Sequence, residues 1–249
     1  MSSLKINPVD RIIEELLCNS KIKMNDDKCK GVVRYNYNES ETWKNKYNVE
    51  LTPLNIIKKN CVTSDRRFKI DYKKECNYKT IVNNNSRYII PIDCSQIIIH
   101  NEESYELIQC HIHHESENKI NNIIFDMEIH LVHKSKNDKI LVMGLLLDVD
   151  DSECSLFPEL LFESNHNSVN KYDFSILNQL ESLSCYLFKG TLTTPPFTEG
   201  INWILFSPLE IIGLNISSKI YNIFTKECKH NSFKNNGSMK TKVYFRKKY

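Results

Sequence analysis

Glu128-Ile129-His130-Leu131-Val132-His133 alternates so that Glu128, His130 and Val132 share one side of an extended chain, while Ile129, Leu131 and His133 share the other. A strand gives each set its own environment. The same β-rich character marks Ile97 to Ile99, Ile123 to Val132, Ile140 to Leu147 and Trp203 to Phe206. Candidate helical pieces, Pro158 to Phe162 and Ser175 to Leu183, are too short to organise a bundle. The expected fold is mainly β with short helices: a central twisted, largely antiparallel β-sheet in a single domain over residues 1–249.

One amphipathic helix signal precedes the sheet. Val9, Ile12, Ile13, Leu16 and Leu17 recur at helical spacing behind Asn7 as N-cap and Pro8 in the first turn. Asn83-Asn84-Asn85 and the segment from Lys226 to Lys242 read as turns and loops.

Composition narrows the function. Of 249 residues, 41% are hydrophobic and 10% aromatic, enough to build a core. Lys and Arg number 33 against 31 Asp and Glu, so a net charge of +2 supplies no field for nucleic acid, and a small or uncharged partner is expected. The basic ending Arg246-Lys247-Lys248-Tyr249 reads as a solvated terminus. Nine cysteines contain no C-x-x-C pair, which excludes a zinc ribbon and a dithiol redox motif. Their odd number argues against a complete disulfide framework. Charges at Lys5, Asp10, Arg11, Glu14 and Glu15 interrupt any apolar leader core, and no run is long enough for a membrane span. A reducing, cytoplasmic setting is expected.

Gln109-Cys110-His111-Ile112-His113 carries the chemistry. In a strand, residues two apart share a face, so His111 and His113 aim at one ion while His114 points away. His130, with Glu128 on its own face, is the best third ligand. Three protein ligands leave zinc an open position, as hydration or hydrolysis requires.

A second segment is Gly190-Thr191-Leu192-Thr193-Thr194-Pro195-Pro196. Taken with Gln-x-His-x-His, Ser116-Glu117, Glu128-Ile129-His130-Leu131-Val132-His133, Glu199 and Trp203, it resembles the α-carbonic anhydrase family in order and spacing. The resemblance covers about residues 83–206. It implies that Zn2+ is held by His111, His113 and His130, with Gln109 and Glu128 accepting the ligands' other N–H groups. It further implies that Thr193, paired with Glu117, orients a zinc-bound hydroxide toward carbon dioxide, and that Thr194 contacts bicarbonate. Val132, Val142, Leu192, Ile201 and Trp203 match the apolar wall that receives carbon dioxide. The implied reaction is reversible hydration of carbon dioxide to bicarbonate and a proton.

Several positions depart from the family. Aligning Asn83-Asn84-Asn85 with the family's Asn-Asn-Gly turn puts Ser86 where a proton-shuttling histidine is common, so slow, buffer-dependent turnover is expected unless His100 or His114 substitutes. At the start, Asn7-Pro8-Val9-Asp10 is a partial match and the preceding tryptophan-bearing segment is missing; near the end, Asn-x-Arg-x-x-Gln is not recognisable and residues 231–241 look shortened. The loop from His113 to Glu117 is short, and Phe197 replaces a cysteine that secreted members pair. The Asn/Lys-rich drift is similar to that of AT-rich protozoan proteins, including the apicomplexan η class. That class is marked by a glutamine third ligand, whereas this strand offers His130. Family relatives without zinc ligands act as binding modules, so a catalytically weak or inactive module is the alternative; a zinc esterase using the same hydroxide is a third reading.

Overall fold

A computed structural model describes residues 35, 37–47, 52–83, 86–151, 169–211, 214–227, 232–233 and 241–248. The strands are β1 (Asn55–Ile56), β2 (Val62–Thr63), β3 (Phe68–Asp71), β4 (Cys76–Asn83), β5 (Ser86–Pro91), β6 (Ile97–His100), β7 (Glu103–His114) and β8 (Lys119–Ile120). They continue as β9 (Met127–Ser135), β10 (Ile140–Val149), β11 (Val169–Tyr172), β12 (Cys185–Thr191), β13 (Glu199–Phe206), β14 (Asn215–Ile216) and β15 (Tyr244–Arg246). Helices α1 (Ser40–Tyr47) and α2 (Ser218–Glu227) and short 3-10 turns lie around them.

Thirteen strands form one sheet, whose main path runs β11-β4-β5-β7-β9-β10-β13-β12-β15-β2. Most neighbours are antiparallel. Three pairs depart from the expected pattern by running parallel: β10 with β13, β10 with β14, and β15 with β2. The sheet is thus mixed. All four β-rich runs of the sequence appear as strands, but β9 starts at Met127 rather than Ile123. Asn121 and Asn122 turn the chain with φ of 50° and 68°, and Ile123 makes only an isolated bridge to Ile120.

The segment read as helical from Ser175 is a 3-10 helix over Phe174–Ser182, begun by Asp173, whose carboxylate accepts from the Ser175 amide at 2.9 Å. The signals at residues 7–17 and 158–162 lie outside the described residues. Helix α1 carries too few apolar residues to stand out in sequence; among the described side chains of α2, Ile220 and Phe224 are the buried ones.

Each face of the sheet has its own apolar cluster. One contains Cys110, Ile112, Ile129, Leu131, Leu141, Met143 and Ile204; the other contains Val132, Val142, Leu146, Phe188, Ile201 and Trp203. Between Leu107 and Gln109 a bulge at Ile108 shifts the register of β7 against β9. Before it, odd-numbered Tyr105 and Leu107 face the first cluster; after it, even-numbered Cys110 and Ile112 do. That single extra residue delivers Gln109, His111 and His113 to the opposite face.

Cys76 and Cys94 are joined by a disulfide across 18 residues, with Cα atoms 5.4 Å apart. Cys61, Cys110 and Cys185 are free thiols. Among the described residues, no helix is long and apolar enough to cross a membrane.

Candidate metal centre

β7 and β9 pair so that His111 stands opposite His130 and His113 opposite Glu128. Period-two alternation then puts all four side chains on one face. On the next strand Gly144 faces His130. A Cβ there would lie 2.6 Å from a Leu205 methyl and 3.2 Å from Glu128 Oε1, so glycine leaves the space that the carboxylate uses.

The three imidazoles converge. His113 Nε2 lies 3.1 Å and His111 Nε2 3.2 Å from His130 Nδ1. A tetrahedral ion with nitrogen ligands at 2.0–2.1 Å would hold them about 3.3 Å apart. The outer nitrogens show which atoms carry protons. His111 Nδ1 donates to Gln109 Oε1 at 2.9 Å, and His130 Nε2 donates to Glu128 Oε1 at 2.8 Å. His113 Nδ1 lies 3.5 Å from Glu117 Oε1. The Gln109 and Glu128 oxygens accept these protons, so the inner nitrogens of His111 and His130 present lone pairs. Buried acceptors aimed at one point would cost about 1–3 kcal/mol each without a donor or cation. The donor set therefore fits a borderline-soft divalent ion.

Electrostatics agree. Burial, and then the charge that His113 and His130 would carry, push His111 well below the ordinary histidine value, which keeps it neutral for coordination. Burial alone would raise Glu128; the charge that His130 would carry, its hydrogen bond and those from Asn118 outweigh that and hold the carboxyl below its usual range.

Beside the histidines, Val142 stands opposite Val132 on β9 and Trp203 on β13. These three and Ile201 are buried in one cluster against which Leu192 packs. The Trp203 ring meets His130 edge-on at 5.0 Å, and its indole N–H donates to the Thr191 carbonyl at 3.0 Å. Thr193 is buried just beyond β12, and Thr194 accepts the Phe197 amide at 2.8 Å.

The chain matches the model of eukaryotic-type carbonic anhydrases over residues 38–247. It belongs to that family. Alpha carbonic anhydrase 6 of Arabidopsis thaliana is 33% identical over 115 residues, 45% of this chain and 44% of the relative. The chain spans about half the length of the first curated relatives it matches, 44% and 52%. The α-carbonic anhydrase of Photobacterium profundum superposes with a TM-score of 0.68 at 18% identity, covering 82% of this chain and 95% of that one. A dioscorin structure with ascorbate superposes at 0.69 with 19% identity, covering 87% and 97%. Both show the fold.

Among the described residues, no hydrogen bond joins the Thr193 hydroxyl to Glu117; Glu117 Oε1 instead accepts the Phe233 amide at 2.7 Å. His100 pairs with Glu103, eight residues and so about 25 Å along β7 from His111. His114 turns to the other face and shares a 2.8 Å hydrogen bond with Tyr221. Neither histidine reaches the centre. Ser86 opens β5 opposite Asn83, two residues before Tyr88, which stands across from His111.

Sequence reasoning also passed over supporting residues. Asn118 gives its amide N–H to Glu128 Oε2 at 2.8 Å and its side-chain NH2 to Oε1 at 2.7 Å, while the Glu117 amide supplies a further bond at 2.9 Å. The Tyr88 ring lies 5.5 Å from His111. Asn118's adjacency to Glu117 was the available signal; nothing local marked Gly144, Tyr88 or Phe233, whose roles arise from strand pairing.

Proposed function

We propose that this protein binds one Zn2+ through His111, His113 and His130 and catalyses reversible hydration of carbon dioxide to bicarbonate and a proton. The observation that carries this reading is the convergence of three buried imidazole nitrogens, with the opposite nitrogens of His111 and His130 hydrogen-bonded to Gln109 and Glu128. Bound zinc would supply Lewis acidity that brings the pKa of a coordinated water to about 7. Gln109 and Glu128 keep the ligand tautomers correct. Val132, Val142, Leu192, Ile201 and Trp203 offer a dry wall suited to a small, linear, apolar substrate. Thr193 and Glu117 orient the nucleophile, and Thr194 contacts bicarbonate. With Ser86 at the shuttle position and His100 and His114 elsewhere, the proton leaves to buffer, so turnover rises with buffer concentration.

Stopped-flow carbon dioxide hydration by zinc-loaded protein tests this, alongside His130→Ala and Thr193→Ala. Activity above buffer is expected for the native chain; His130→Ala should lose zinc and activity, and Thr193→Ala activity alone. Full zinc loading without hydration sinks the enzyme reading in favour of a binding module. Failure to bind zinc stoichiometrically sinks the site.

A further inference from the structure

The turn after Thr193 carries an aromatic ring where its backbone disfavours one. Phe197 has a φ of +58°, in the left-handed region where a bulky residue is an outlier and glycine would sit without strain. Its ring is nevertheless buried, meeting Trp43 of α1 with centroids 6.0 Å apart and Phe233 at 5.4 Å. Trp43 and Phe233 complete the triangle at 5.5 Å. These rings form a cluster separate from both main cores. Hydrogen bonds link it to Glu117 and to the end of β7: the Phe233 amide donates to Glu117 Oε1 at 2.7 Å, and the Ser232 hydroxyl donates to the His114 carbonyl at 3.2 Å. A strained position retained for a buried contact points to a functional constraint.

We propose that Trp43, Phe197 and Phe233 form a clasp that holds the Thr193 turn and the Glu117 carboxylate in fixed relation, with Phe197 as a positioning residue. The ring of Phe197 ties the turn to Phe233, and the Phe233 amide fixes the carboxylate oxygen nearest His113. Its effect on turnover rests on the hydration reading above; its effect on Glu117 does not.

The test uses the full chain carrying Phe197→Gly, Phe197→Ala or Phe197→Tyr. Hydrogen exchange at the Phe233 amide should quicken at least tenfold in Phe197→Gly and stay near native in Phe197→Tyr, with β9 amides as protected as before. In zinc-loaded protein, kcat should fall at least fivefold in Phe197→Gly with KM and zinc Kd within twofold, and Phe197→Tyr should recover most of it. Phe197→Ala, which keeps the unfavourable backbone, should melt below Phe197→Gly while losing the same kcat. Unchanged Phe233 exchange in Phe197→Gly overturns the clasp, as does a kcat loss that only follows zinc loss or melting temperature. A native chain without hydration activity defeats the proposed function, and the exchange measurement still decides the clasp.

Discussion

Replacing Glu128 by glutamine removes one acceptor oxygen from a carboxylate surrounded wholly by donors. Oε2 accepts the amides of Glu117 and Asn118, and Oε1 accepts Asn118 Nδ2 and His130 Nε2. If the new NH2 takes the Oε2 place, two buried backbone N–H groups lose their acceptor at about 1–3 kcal/mol each, or about 2–6 kcal/mol of stability. If it takes the Oε1 place, it meets His130 Nε2–H. Asn118 cannot flip to relieve the crowding, because its Oδ1 already accepts the Leu54 amide at 2.9 Å. His130 escapes only by moving its proton to Nδ1, the nitrogen 3.1–3.2 Å from those of His113 and His111. That proton blocks the ligand lone pair. A 10–100-fold weaker zinc Kd is expected, about 1.4–2.7 kcal/mol, read by chelator competition alongside the melting temperature of metal-free Glu128→Gln. A Kd within twofold of native together with an unchanged melting temperature would refute the tautomer argument.

Acid should destabilise the metal-free protein through His133. Burial, only partly offset by hydrogen bonds with the Leu141 and Leu131 backbone, lowers its pKa to about 3. The unfolded chain protonates near 6.5 while the folded one does not, so stability falls as pH drops from about 6.5 toward 3, by about 2 kcal/mol at pH 5. Melting curves of His133→Gln should flatten that slope; an equal slope rules His133 out. The Cys76–Cys94 bridge closes an 18-residue segment, worth about 3 kcal/mol by loop entropy. Dithiothreitol should lower the native melting temperature by about 6–12 °C and leave Cys76→Ser/Cys94→Ser unmoved, whereas equal shifts would show that the bridge contributes nothing.

Much of the centre was legible because strand alternation is local. Once residues 109–113 and 128–133 read as extended, His111, His113, His130 and Glu128 followed as a set. The family likeness added Thr193 and the apolar wall from short motifs whose order survives divergence. Other features depend on pairing between distant segments. The Ile108 bulge decides that Gln109, His111 and His113 face away from the cluster that holds Tyr105 and Leu107, and a bulge is set by the partner strand's register rather than by β7 alone. Glu117 aligned by motif with Thr193, yet its Oε1 accepts the amide of Phe233, 116 residues on, in a segment that the sequence showed only as shortened. His100 and His114 were both named as shuttle substitutes; strand period alone turned His114 away, whereas only the sheet put His100 far along β7. Residue type and local period thus determined which groups could bind a metal. Long-range register determined which of them meet, because hydrogen bonds and burial are made between elements whose separation along the chain leaves no local trace.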